Sequence, residues 1–254
     1  MTPHRLIGMV HLGPLPGSPH YSGDLPAVID AAVVDATTLS EAGFDAVMVE
    51  NFGDAPFFAD DAPEITAAAM TRAVDAVGRV GLPMGVNVLR NDALAALAVA
   101  AVTGASFIRV NVLSGTMFTD QGPIVGRAAE VVRFREAHCP DVAVMADVFV
   151  KHATPPAGLS LEGATRDLSE RSGADAIIVS GSGTGAETAL EHLTTVADHT
   201  SLPVYVGSGA TADSVAKLLT IADGAIVGTA TKPGGDVAAP VDLGLAAEIV
   251  AAAR

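Results

Sequence analysis

Short apolar runs alternate along this chain with stretches whose apolar positions recur every three or four residues, the signatures of buried strands and of helices respectively. The runs fall at residues 6–12, 45–51, 83–89, 107–112, 142–150, 175–181, 203–209 and 224–229. Helical patterns lie between them and after the last, at 25–41, 63–80, 92–103, 123–138, 161–171, 186–198, 211–221 and 240–253. Three of these begin at Pro63, Pro123 and Pro240, where a missing amide proton does no harm. The strand runs are nearly continuous in Val, Ile, Met and Ala, which predicts burial on both faces and hence a parallel sheet. Eight alternations predict an α/β protein built as a single TIM (β/α)8 barrel over residues 1–254, with an open doubly wound sheet as the alternative.

A weak internal echo supports repeated units. Ala42-Gly43-Phe44-Asp45, Thr103-Gly104-Ala105-Ser106, Ser172-Gly173-Ala174-Asp175 and Ala222-Asp223-Gly224 each precede an apolar run. The pattern reads as a helix end, a left-handed glycine cap and a new strand. Helix-to-strand turns are mostly short, whereas the strand-to-helix segments 13–24, 52–62, 113–122 and 152–160 are long. Length on one face is how barrels build their sites.

Strand alternation then sorts the side chains. If Ile108, Val110 and Val112 face the helices, Arg109 and Asn111 face the interior; if Val144, Ala146 and Val148 point outward, Asp147 and Lys151 point inward. His11 shares a face with Met9, Glu50 with Met48 and Ser180 with Ile178, while Asn87 alternates with Val86 and Val88. Polar side chains from separate strands are thus expected on one inner surface near the barrel mouth. A one-residue register slip would reverse any of them. The competing reading is a hydrogen-bonded structural plug in which Arg109 neutralises Glu50 or Asp147, although burying so many charges without function is costly.

Lys151 is one of only three lysines. At a strand end beside Asp147 it can act as a proton donor, a Schiff-base amine or a charge for a phosphate or carboxylate, against the plainer reading of a rim salt bridge. His152 points the other way by the same parity. Three late strand ends are rich in small residues: Ser180 to Gly185 (including Gly183), Gly207-Ser208-Gly209 and Gly228-Thr229. Glycine lets backbone amides approach an anion, and the last two motifs fall where many barrels hold phosphate. Ordinary turn chemistry is the alternative.

Composition narrows the partners. The net charge of −15 disfavours nucleic acid and anionic membrane surfaces, but not a small phosphorylated ligand held by local donors. The single Cys139 rules out an internal disulfide and suits a reducing cytoplasm. No signal peptide opens the sequence, and the weakly polar run 93–108 is too short to span a membrane. A soluble cytoplasmic protein is expected. His11, Glu50 and Asp147 are conceivable ligands for a divalent metal, but their spacing matches no ligand signature, so no cofactor is expected.

At GMVHLGPLPGSP (8–19), DAVMVENFGDAPF (45–57), GVNVLRND (85–92), FIRVNVLSGTMFTDQG (107–122), ADVFVKHA (146–153), ADAIIVSGSGTG (174–185) and ADGAIVGT (222–229) the chain resembles the BtpA/SgcQ family over nearly its whole length. The resemblance implies a TIM-type barrel similar to ribulose-phosphate-binding enzymes. One branch of the family is named for photosystem I biogenesis, as a membrane-associated factor, and another is associated with bacterial carbohydrate gene clusters. It brings no established catalytic set, and Phe149 stands where the pattern ADVHVKH has His.

The expected function is an enzyme of a phosphorylated sugar or nucleoside-derived compound, an isomerase, epimerase or aldolase/lyase working by proton transfer next to a carbonyl. Glu50 and Asp147 are the acid–base candidates, with Lys151 and Arg109 stabilising developing charge. His11, Asn87, Arg90, Asn111 and Ser180 would contact substrate, with Asp120 and Gln121 reaching it from a covering loop. Gly183, Gly207, Ser208, Gly209, Gly228 and Thr229 would hold the phosphate. The alternatives are a non-catalytic assembly factor for photosystem I or another membrane complex, and a phosphosugar-binding sensor. A homo-oligomer is expected by analogy with other barrels.

Overall fold

A computed structural model describes residues 4–181 and 189–254. In chain order its elements are β1 (Leu6–His11), α1 (Leu25–Ala42), β2 (Ala46–Glu50), α2 (Glu64–Gly78), β3 (Met84–Asn87), α3 (Ala93–Thr103), β4 (Phe107–Val110), β5 (Thr116–Thr119), β6 (Gly122–Val125), α4 (Ala128–His138), β7 (Ala143–Val148), β8 (Ala153–Thr154), α5 (Leu161–Arg171), β9 (Ala176–Val179), α6 (Leu190–Asp198), β10 (Val204–Val206), α7 (Val215–Leu218), β11 (Gly224–Val227) and α8 (Leu243–Ala253). Eight of the strands close a parallel barrel in the order β1-β11-β10-β9-β7-β4-β3-β2. The outward residues of these strands pack with the helices as one large core. A second, smaller core fills the interior, with Ile7, Met9, Ala46, Met48, Phe107, Met145, Ile178, Tyr205 and Ile226 among its members.

The echoed segments have a physical purpose. Asp45, Asp175 and Asp223 each accept, through Oδ2, the N–H at the start of a neighbouring strand: Leu6, Val144 and Val204, all at 2.8 Å. These bonds satisfy strand-end donors that no ladder reaches. Gly43 and Gly104 cap α1 and α3 with φ of 96° and 77°, as expected. The fourth echo differs. Gly224 is the first residue of β11 and has no cap role; a Cβ there would lie 2.5 Å from the Tyr205 ring.

Three expected helices are altered. Residues 123–125 are not helical: β5 and β6 form an antiparallel hairpin that β8 extends into a sheet ordered β6-β5-β8. Pro123 is tolerated because β6 is an edge strand. Met117 and Ile124 pack down on Val112 and Val150, whereas Phe118 and Val125 on the other face are exposed. The expected helix at 211–221 shrinks to the four residues of α7, and the last helix begins at Leu243, capped by the Asp242 side chain, rather than at Pro240.

Gly85 shows how tight the interior is. A Cβ there would collide with the Phe107 ring, which fills the barrel axis at that level. Gly85→Ala is therefore expected to cost about 1–3 kcal/mol through overpacking. The urea unfolding midpoint measures it, and an unchanged midpoint would show that Phe107 can move aside.

Candidate functional site

Going up the barrel interior, the apolar side chains give way to one polar layer. His11 follows Met9 on β1, Glu50 follows Met48 on β2, Asn87 follows Gly85 on β3, Arg109 follows Phe107 on β4, Asp147 follows Met145 on β7, and Ser180 follows Ile178 just beyond β9. His11 is in register with Glu50, and Glu50 with Asn87. All are buried except His11, whose side chain is still only 8% exposed. The alternation read from the sequence thus places these six side chains, with Asn111 above Arg109, on one inner surface.

Half of this layer is a closed network. Arg109 donates Nε–H to Asp147 Oδ2 and Nη2–H to Oδ1, both at 2.8 Å, a bidentate fork. Ser180 Oγ donates to Asp147 Oδ1 at 2.9 Å and accepts from Arg109 Nη2 at 3.2 Å, and Asn111 Nδ2 reaches Oδ2 at 3.5 Å. Asp147, expected as an acid–base group, therefore has each oxygen taken by two donors. Asn87 donates to the Arg109 carbonyl at 3.1 Å and to Asn111 Oδ1 at 3.4 Å, while its own Oδ1 is buried without a partner among the described residues.

The other half is open. Glu50 accepts no hydrogen bond from any described group; His11 Nε2 lies 3.7 Å from Oε1. Burial pushes the Glu50 carboxyl above its ordinary range, against the opposing pull of Lys151, Arg109 and Arg90. Burial, with Lys232, Lys151 and Arg109 adding repulsion, drives His11 down to about 3, so its ring is neutral and the 3.7 Å contact is not an ion pair. His11 Nδ1 is buried without a partner among the described residues, and the ring rests on Phe52 with centroids 5.0 Å apart.

Lys151 reaches this layer by a route the sequence did not show. Strand β7 ends at Val148, and Phe149 has φ of 49°, which breaks the alternation on which the inward placement of Lys151 was based. The side chain nonetheless lines the same void as Glu50, His11 and Arg109. Its ammonium forms no hydrogen bond or ion pair with the described residues, and burial lowers its proton affinity, with Arg109 and Arg90 adding to that effect and Glu50 opposing it. Arg90 locks the turn by donating Nη2–H to the Lys151 carbonyl at 2.5 Å.

Two bracing residues were missed. Asn51 accepts the Leu89 amide at 2.7 Å, and Asn91 grips Val112 by accepting its amide at 2.7 Å and donating to its carbonyl at 3.1 Å. Both fix the strand ends that carry Arg90 and Asn111. Their signal was the type: a buried amide beyond a strand can replace ladder bonds.

The glycine-rich ends of β10 and β11 complete the wall. A Cβ at Gly207 would come within 2.5 Å of Ser180 Oγ and 3.2 Å of Arg109 Nη2, and one at Gly228 would lie 2.9 Å from the His11 ring. These glycines thus make room for the polar layer as well as exposing backbone. Ser208 Oγ accepts the Gly181 amide at 3.1 Å, and Gly209 has φ of 74°. The amides of Gly209, Ala210, Thr229 and Ala230 enter no backbone hydrogen bond among the described residues. Gly183 lies outside the described residues.

The void between Glu50, Lys151, His11 and the glycine ends measures about 20 Å³, room for a water molecule. A larger cavity of about 380 Å³ lies between the hairpin and α5, but meets the polar layer only at Asn111 and Asp147, whose bonds are committed. Asp120 and Gln121 sit at the hairpin turn, bonded to each other at 2.6 Å. No hydrogen bond or ion pair among the described residues links them to the polar layer, although the Asp120 charge is felt by Arg90 and His152. Among the described residues no three His, Cys, Asp or Glu side chains are grouped to hold a metal, and no helix is long and apolar enough to cross a membrane.

A model of the BtpA family matches residues 2–254. A protein of Thermococcus kodakarensis is 48% identical over 251 residues, spanning 98% of this chain and 95% of its own. The Photosystem I biogenesis protein BtpA of Synechocystis is 46% identical over 245 residues, spanning 95% and 85%. Among solved structures, 3-hexulose-6-phosphate synthase superposes with a TM-score of 0.65 at 15% identity, over 98% of this chain and all of the other. Thiamine phosphate pyrophosphorylase of Pyrococcus furiosus gives 0.59 at 17%, over 98% and 95%. At these identities the superpositions show a shared barrel fold.

Proposed function

The chain belongs to the BtpA family, and from that premise we propose that it is an enzyme moving a proton next to a carbonyl group in a small phosphorylated metabolite. One observation carries the reading: the buried Glu50 carboxyl and the partly buried Lys151, neither of whose titratable groups is hydrogen-bonded to a described residue, line one void beside the glycine ends of β10 and β11. A buried charge normally acquires a partner; two that have none are set up for a substrate to supply it. Glu50 moves the proton. Arg109, fixed by Asp147 and Ser180, supplies permanent positive charge, so Asp147, itself held by Asn111, serves as a positioning residue.

Phosphate at the glycine ends would meet the amides of Gly209, Ala210, Thr229 and Ala230, which have no backbone partner among the described residues, and His11, which lines the void, has a ring nitrogen free for a sugar hydroxyl. The names of two superposable barrels, 3-hexulose-6-phosphate synthase and thiamine phosphate pyrophosphorylase, include phosphorylated compounds, which agrees with this reading.

Thermal denaturation with a panel of sugar phosphates, with and without divalent cations, tests the reading. A ligand at a hundredfold excess over its Kd stabilises by about 2.7 kcal/mol, which is about 5–10 °C for a chain of this size. Ser208→Asp should abolish the shift by placing a carboxylate where the phosphate sits.

The second reading is an assembly factor, as the name of the Synechocystis relative states for that protein. Its support is the exposed apolar face of the hairpin sheet, where Phe118 and Val125 are 52% and 55% exposed. No shift with any phosphorylated compound would favour it.

A further inference from the structure

We propose that Lys151 acts covalently, its amine condensing with the carbonyl of a phosphorylated aldehyde or ketone to form an imine. The inference rests on the phosphorylated-metabolite reading above and specifies the substrate's reactive group.

The buried Lys232 and the partly buried Lys151 show the contrast. Lys232 donates to Asp35 Oδ2 at 3.1 Å and to the Ala239 carbonyl at 2.6 Å, and Asp35 in turn accepts the Val241 amide at 2.8 Å. That amine is a structural bolt between α1 and the segment before α8. Lys151, by contrast, has an untethered amine lining the void. Permanent positive charge is already present there in Arg109, and Arg90 stands close by. A third cation for charge stabilisation would gain little and would be repelled by both guanidiniums. A neutral amine avoids that repulsion and is the nucleophilic form.

Glu50 completes the chemistry. Burial shifts both groups toward their neutral forms, the Lys151 amine and the Glu50 carboxylic acid, against the pull of each on the other. The amine attacks the carbonyl carbon, forming a C–N bond and a carbinolamine. Glu50 gives its proton to the departing oxygen, which leaves as water, so amine, carbonyl and acid become iminium, water and carboxylate. The iminium draws electrons from the adjacent carbon, and the Glu50 carboxylate takes that carbon's proton to give an enamine and the acid again. No external oxidant or reductant is needed. The neutral His11 ring can orient the carbinolamine hydroxyl without competing for the proton.

The low lysine count makes the test clean, because Lys151, Lys217 and Lys232 are the only side-chain amines in the chain. The protein is incubated with dihydroxyacetone phosphate or glyceraldehyde 3-phosphate and cyanoborohydride, and adducts are mapped by peptide mass spectrometry. The expected result is an adduct on Lys151 that exceeds that on exposed Lys217, falls about tenfold with saturating inorganic phosphate, and is absent in Lys151→Met. Lys151→Arg substitutes if the Met variant fails to fold. Thermal stabilisation by these probes without an adduct overturns the imine and leaves the phosphorylated-metabolite reading standing. Labelling of Lys217 as readily as Lys151 also overturns the imine. Neither adduct nor stabilisation overturns both.

Discussion

Asp147→Leu is expected to lower the unfolding free energy by about 3–5 kcal/mol, the cost of leaving a buried guanidinium without its partner. The Arg109 side chain is 2% exposed and that of Asp147 fully buried, so water cannot replace the lost carboxylate. Four hydrogen bonds converge on the two carboxylate oxygens, from Arg109 twice, Ser180 and Asn111. All lose their acceptor together. For a chain of this size the loss corresponds to about 6–20 °C in Tm. The double variant Arg109→Met with Asp147→Leu should recover most of it, because removing both charges removes the stranded one. Chemical denaturation of the four proteins gives the coupling directly. A single variant within about 1 kcal/mol of the parent would mean that the pair is not held in the closed form described here.

That pair also marks how far the sequence could be read. Eight strand runs, their spacing and the inward alternation of His11, Glu50, Asn87, Arg109, Asp147 and Ser180 were legible, because a strand buried on both faces leaves little freedom in period or register. What alternation cannot show is which polar neighbours bond with each other. Arg109 had Glu50 and Asp147 within equal reach on paper; strand adjacency decides it, since β4 lies beside β7 while β3 separates it from β2. Lys151 was placed correctly for a wrong reason, since the left-handed turn at Phe149 ends the alternation two residues earlier. The hairpin at 116–125 was hidden by Pro123, which resembles a helix start and is here an edge-strand residue. The glycines at 207 and 228 were read as backbone exposed to an anion; that they also make room for Ser180, Arg109 and His11 was not legible, because those partners lie far away in sequence. Long-range packing of this kind leaves no local pattern.

Glu50 and Lys151 should respond to pH with opposite slopes, and their removal should stabilise the protein. The Glu50 carboxyl is raised above its unfolded value of 4.5. Below 4.5 both states hold the proton and burial carries no penalty. As pH rises through the raised value, the unfolded chain releases the proton readily while the folded one must keep it or bury a charge, so stability falls. The Lys151 amine is lowered from 10.5. Above 10.5 both states are neutral; as pH falls, the unfolded chain gains a proton that the folded one resists, and stability again falls. Glu50→Gln should therefore stabilise increasingly as pH rises from 4.5, and Lys151→Met increasingly as pH falls from 10.5. Each gain is on the order of 1–3 kcal/mol at neutral pH, the usual cost of an unsatisfied buried group. Because each charge partly shields the other, Lys151→Met should gain more in the Glu50→Gln background than alone. Unfolding midpoints from about pH 4 to about pH 11 record the slopes. Destabilisation by either change at neutral pH would mean that the two groups form a satisfied pair, which would remove the physical reason for giving them a substrate.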